Sequence, residues 1–198
     1  MMEPQETGEH YDRIARRWQQ ETPESYGMAQ LERAIAFVKN KGRALDVGCG
    51  STGRFIRKME ESGFVAEGVD VSGEMITLAR EQNPKASFFI ADICEWKLPG
   101  TYDLITAWDS IFHLPLDRHV PVIRKLCAGL SAGGILLFTC GGGKGGEITG
   151  SFWGESFAYS TLGVAGFVRL LEECGCLCLH VEHDQWPENH VYIVAQKP

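Results

Sequence analysis

The chain is predicted to be α/β: a parallel sheet with helices on both faces, closed by an antiparallel hairpin at the C-terminus. Three observations predict it. Short apolar runs alternate with segments of helical periodicity through most of the 198 residues, the pattern of a parallel sheet. The turn after the first run carries Gly48, Gly50 and Gly53. The last two apolar runs are joined by too few residues for a helical crossover, so they must pair antiparallel.

Residues 1–9 are expected to form a loose polar tail. Tyr11, Ile14, Ala15 and Trp18 recur at helical spacing, and Met28, Leu31, Ala34, Ile35 and Val38 mark a second helix after Pro23, stopped at Gly42. The core elements follow as strand 43–48, helix 54–62, strand 64–70, and helix 73–82 capped by Ser72. Strand 86–91, strand 102–108 and a helix over 120–130 come next. Gly133-Gly134 is expected to open strand 135–140. Residues 141–160 are assigned to a long glycine-rich loop, a lid whose aromatics Phe152, Trp153, Phe157 and Tyr159 line an acceptor pocket. Helix 164–174 and strands 176–184 and 190–196 finish the chain, with a turn at 186–189. One domain is expected over residues 1–198, with cap helices in 10–41 and the core in 42–198.

Composition narrows the function. The chain is 44% hydrophobic and 23% charged, with a formal net charge of −7. That disfavours nucleic-acid and anionic-membrane surfaces, which call for clustered Lys and Arg. No signal-peptide pattern or membrane-length apolar run occurs, so a cytoplasmic protein with reduced thiols is expected. The seven cysteines include no C-x-x-C; Cys174, Cys176 and Cys178 are expected to be small core residues rather than metal ligands. His183 and His190 are placed in the final turn as surface residues, and no metal is expected.

In open parallel sheets, ligands sit beyond the carboxyl ends of the strands. That rule selects Gly48–Gly53, Asp70, Asp92 and the segment Trp108–His113 at four strand ends. LDVGCG, GVDVSGEMITLAR and FFIADI followed by YDLITA, in that order, resemble the class I S-adenosylmethionine-dependent methyltransferases of the small-molecule type, over about residues 10–197. The resemblance implies a Rossmann-like fold and S-adenosylmethionine as cofactor. It implies that Gly48 and Gly50 let the backbone approach the methionine part and ribose, with Asp46 orienting the turn. Asp70 would take the ribose hydroxyls, Val71 and Met75 would flank the adenine, and Asp92 and Ile93 would meet its polar edge. Trp108 and Asp109 would lie near the sulfonium, and Tyr11 would reach the methionine carboxylate. The sequence departs from the family in having two residues, Ser51 and Thr52, between the second and third glycines.

Methyl transfer needs a base only where the nucleophile must lose a proton early. Asp109 and His113 are the candidates. The partner expected is a small-molecule acceptor. Two alternatives stand beside this reading. G-x-G-x-x-G with Asp70 seventeen positions after Gly53 also suits an NAD-dependent oxidoreductase. A non-catalytic S-adenosylmethionine-binding protein would carry the same cradle.

Overall fold

The computed structural model describes residues 2–198. Strand β1 (Arg43–Val47) runs through the middle of a seven-stranded sheet with β2 (Val65–Asp70), β3 (Ser87–Ile90), β4 (Tyr102–Ala107), β5 (Leu130–Cys140), β8 (Leu177–Glu182) and β9 (Val191–Gln196). Their order is β3-β2-β1-β4-β5-β9-β8. The first five pair parallel and β9 pairs antiparallel with both β5 and β8. The order reverses between β1 and β4, which opens a crevice at their carboxyl ends.

Alternation along the strands decides the layers. On β5, Leu136 and Phe138 face helices α5 (His119–Ala128) and α6 (Val164–Glu173), while Ile135 and Leu137 face the other side. That side is covered by α2 (Met28–Phe37), α3 (Arg54–Glu61) and α4 (Gly73–Gln82), through Leu31, Phe55, Ile56, Met59 and Ile76. A strand buried on both faces has no polar side to show, hence its continuous apolar run. Helix α4 is capped as predicted: Ser72 Oγ accepts the Met75 N–H at 3.1 Å. No helix of the described residues is long and apolar enough to cross a membrane.

Three local expectations are corrected. Helix α1 covers Pro4–Glu21, so most of the expected tail is helical. Proline suits the first helical turn because that N–H has no partner there anyway, and Gly8 lets the helix lie on the Val71 backbone, 3.1 Å from where a β-carbon would stand. Asp12 on α1 then accepts from Ser72 Oγ and the Glu74 N–H at 2.6 and 2.9 Å, fastening α1 to the start of α4. Second, β5 begins at Leu130, five residues early, with a register irregularity opposite Tyr102 and Leu104. Third, the expected loop 141–160 is mostly a separate hairpin of β6 (Lys144–Phe152) and β7 (Glu155–Gly163). Its two-residue turn is Trp153-Gly154, both with positive φ (51° and 88°), as a tight hairpin with right-handed strand twist requires.

Candidate active site

The turn after β1 is built from three glycines in left-handed conformation: Gly48, Gly50 and Gly53 at φ 69°, 61° and 60°. The N–H groups of Gly48 and Cys49 both donate to the Val69 carbonyl, at 2.7 and 3.1 Å, which folds the turn across the end of β2. A methyl on Gly48 would overlap the Ser110 side chain. The extra residue of the turn is taken up by burying Ser51 and Thr52. Gly53 serves as the N-cap of α3 rather than as part of the crevice wall.

All twelve residues proposed from the sequence line one cavity: Tyr11, Asp46, Gly48, Gly50, Asp70, Val71, Met75, Asp92, Ile93, Trp108, Asp109 and His113. Its empty space, open mouth included, is about 960 Å³. Asp70 and Asp92 lie at the ends of paired strands, since Asp70 is in register with Ile90. Each carboxylate is aimed by backbone donors. Asp70 accepts from Gly50 N and Ser72 N, both at 2.9 Å. Asp92 accepts from Cys94 N at 2.8 Å and from Gln5 Nε2 at 3.3 Å. Every oxygen keeps a lone pair for a ligand donor. Burial raises the Asp70 pKa above its usual value, against the pull of its backbone donors.

Asp46 is buried at the end of β1, with Thr106 Oγ1 donating to its Oδ1 at 2.6 Å. Burial pushes its carboxyl up to about 7, a rise that Thr106 and Arg54 partly offset. His113 is buried and lowered to about 4 by that burial. Its Nδ1–H donates to the Ala158 carbonyl at 2.9 Å, leaving Nε2 as the acceptor for the Tyr11 hydroxyl at 2.8 Å. The ring is therefore neutral, and burial raises the Tyr11 hydroxyl well above its usual pKa.

The roof comes from both α1 and the hairpin, in two layers. Pro4, Thr7, Tyr11 and Trp18 of α1 face the cavity. The hairpin aromatics stand behind them instead of lining it. Phe157 packs on Tyr11 and His113 at 4.7 and 5.3 Å between ring centroids, and Phe152 and Trp153 pack on Trp18 at 5.9 and 6.0 Å. Tyr159 packs on His113 at 4.8 Å. Glu155 joins the layers through His10 and Arg13 at 2.6 and 2.9 Å.

One residue of the neighbourhood was not singled out from the sequence, and another was placed wrongly. Arg54, directly after the glycine turn, is the one permanently charged cation among the described residues that line the cavity. It donates to the Tyr26 carbonyl at 2.9 Å and to Thr52 Oγ1 at 3.0 Å, and has no carboxylate within ion-pair distance among the described residues. Its position beside a ligand-facing turn was the available signal. His190, read as a surface turn residue, is instead wedged between Asp109 and Asp184. Asp184 across the final turn was the available signal, whereas Asp109 is 81 positions away and meets the ring only in the folded sheet. The cysteines at the α6–β8 join are divided: Cys176 is buried, Cys174 and Cys178 half-buried.

The cavity tests well for an adenosyl ligand. The Gly50 and Gly48 main chain and the free lone pairs of Asp70 and Asp92 face it, the donor and acceptor set that a ribose and an adenine amine call for. Acidic side chains and apolar surfaces from Val71, Met75 and Ile93 converge on the same space.

Comparison with known proteins agrees. Residues 44–134 match a family model described as a methyltransferase domain. Trans-aconitate 2-methyltransferase of Afipia carboxidovorans is 34% identical over 94 residues, covering 46% of this chain and 35% of that protein. The chain thus spans about a third of that relative's length. Phosphoethanolamine N-methyltransferase of Plasmodium falciparum is 29% identical over 121 residues, 58% of this chain and 46% of that protein. Among solved structures, DhpI in complex with SAH superposes with a TM-score of 0.75 at 19% identity, over 98% of both chains. At that identity the likeness speaks to the fold, which is the Rossmann-like fold of methyltransferases.

Proposed function

We propose that the chain is a class I S-adenosylmethionine-dependent methyltransferase and transfers a methyl group from S-adenosylmethionine to a small-molecule acceptor, a reading supported by the methyltransferase-domain match over residues 44–134. The observation that supports this most is the convergence of the Gly48–Gly50 turn, Asp70 and Asp92 on one cavity. S-adenosylmethionine, when bound, supplies a methyl carbon on a positively charged sulfur, open to in-line displacement.

In this reading Asp70 takes a vicinal diol with its two oriented oxygens, and Asp92 takes an exocyclic amine. Gly48 and Gly50 admit the ligand against bare main chain. Val71, Met75 and Ile93 exclude water around a flat ring. Asp46, Trp108 and Asp109 present two carboxylates and an aromatic face where positive charge belongs. Tyr11 and His113 stand on the same wall as candidate acid–base groups. Because His113 Nε2 already accepts from the Tyr11 hydroxyl, a proton leaving the acceptor reaches that nitrogen through Tyr11. The double roof supports a small acceptor over a polymer, as does the substrate class named for the relatives.

Neither the family match nor these relatives favour the nicotinamide alternative. Calorimetric titration separates the readings: S-adenosylmethionine and S-adenosylhomocysteine bind, NADH does not, and Asp70→Asn weakens both adenosyl ligands by roughly tenfold or more, the worth of a charged hydrogen bond. NADH binding in preference to both would overturn the proposal. Labelled methyl transfer into a metabolite extract then distinguishes an enzyme from a binding protein.

A further inference from the structure

Behind the cavity wall, a line of acid–base groups runs outward from Asp109. Asp109 follows β4 with φ 48°, a region that side-chain-bearing residues enter only when surroundings enforce it. Its N–H donates to Thr139 Oγ1 at 2.8 Å. Its Oδ2 accepts from the Tyr26 hydroxyl at 2.6 Å, and its Oδ1 faces His190 Nε2 at 2.8 Å. His190 Nδ1 faces Asp184 Oδ1 at 2.6 Å, and Gln30 Nε2 donates to the other Asp184 oxygen at 2.8 Å. The side chains of His190, Asp109 and Asp184 are 14%, 13% and 3% exposed. A ring nitrogen this close to a carboxylate oxygen donates. With a carboxylate on each side both nitrogens donate, so the ring is an imidazolium. Burial opposes that charge, and the two carboxylates together outweigh it and raise the His190 pKa.

The cavity gives this cation a purpose. Asp46, Asp70 and Asp92 already line it, and each added carboxylate in one low-dielectric space disfavours the ionised form of the others. We propose that His190, held by Asp184, is a positioning residue that orients the Asp109 carboxylate, and that Asp109 is the anion by which the site prefers a sulfonium over its neutral demethylated product. The inference rests on the donor assigned above. The other charged or titratable groups that bear on Asp109 are Tyr26, Arg54, Tyr11 and His113. Arg54 adds to the hold on Asp109, and His113 is neutral.

The test is the ratio of dissociation constants for S-adenosylhomocysteine and S-adenosylmethionine, measured by calorimetry on the full chain at one fixed pH. The two ligands differ in one methyl and one charge, so general damage to the site weakens both and leaves the ratio alone. Asp109→Asn should cut the preference for the sulfonium by about tenfold, or 1.4 kcal/mol. His190→Gln, which keeps the Asp109 carboxylate and removes the ring that aims it, should lose part of that preference, and Asp184→Asn a smaller part. An unchanged ratio in Asp109→Asn or in His190→Gln would overturn the inference. Should His190→Gln not fold, nitrogen NMR of the wild-type imidazole decides: a neutral ring at pH about 7 refutes it, a doubly protonated ring supports it. If neither adenosyl ligand binds the wild type, the donor assignment itself has failed; if both bind and the variants keep the wild-type ratio, only this inference has.

Discussion

Replacing Asp46 by Asn should stabilise the ligand-free protein, and only above mildly acidic pH. The carboxyl is buried at the end of β1 with one hydrogen-bond donor, Thr106, and its pKa is about 7. An unfolded Asp titrates near 3.9, so the shift is roughly 3 units, or about 4 kcal/mol at 1.36 kcal/mol per unit. The sign follows from proton binding. The folded state holds this proton more tightly, so the stability associated with it is full below about pH 4. It is lost as pH rises through about 7. Relaxation around a buried charge lowers the figure, and about 2–4 kcal/mol is expected at pH 8. Asn keeps an acceptor for Thr106 and carries no charge to desolvate. Urea unfolding of both proteins at intervals between about pH 4 and 8 gives the difference directly, because every other titrating group cancels. A gap that opens with rising pH is the expected result. Parallel curves would mean that Asp46 is ionised at no cost, and the electrostatic description of the cavity floor would be wrong.

Two further outcomes follow from the geometry. Gly48→Ala should lower stability by about 2 kcal/mol or more and abolish adenosyl-ligand binding, since the methyl meets Ser110 in a left-handed backbone; thermal melting and calorimetry check both. His119 is buried, donates through Nε2 to Ser160 Oγ at 2.7 Å, leaves Nδ1 unpartnered, and is lowered by burial to about 4. Its contribution to stability is therefore present above about pH 6.5 and lost as pH falls toward 4, so His119→Gln should flatten the acid limb of the stability profile; an unaltered limb would count against it.

The floor of the site was readable in the sequence because its logic is local. Each strand is a short apolar run, each strand end is the residue after it, and a parallel sheet gathers those ends. The roof was not readable for reasons that are equally physical. Pro4 to His10 is polar apart from the proline and presents Pro4, Thr7 and Gly8 inward, so it shows no apolar stripe. In the hairpin, Lys144–Phe152 contains few apolar residues and is largely exposed on both faces, so two-residue alternation is missing. His190 gains its partners from β4's end and across the final turn, a contact that exists only once the sheet has formed.

The floor and roof also come from different parts of the chain. The glycine turn, Asp70, Asp92 and Asp109 all fall within residues 44–134, whereas α1 and the hairpin lie wholly outside that stretch. Helix α1 touches the floor directly, through Gln5 on Asp92 and Asp12 on Ser72, whereas the hairpin stands one layer further out. Nature, or an engineer, could therefore exchange that outer ceiling and leave Asp70 and Asp92 with the backbone donors that aim them.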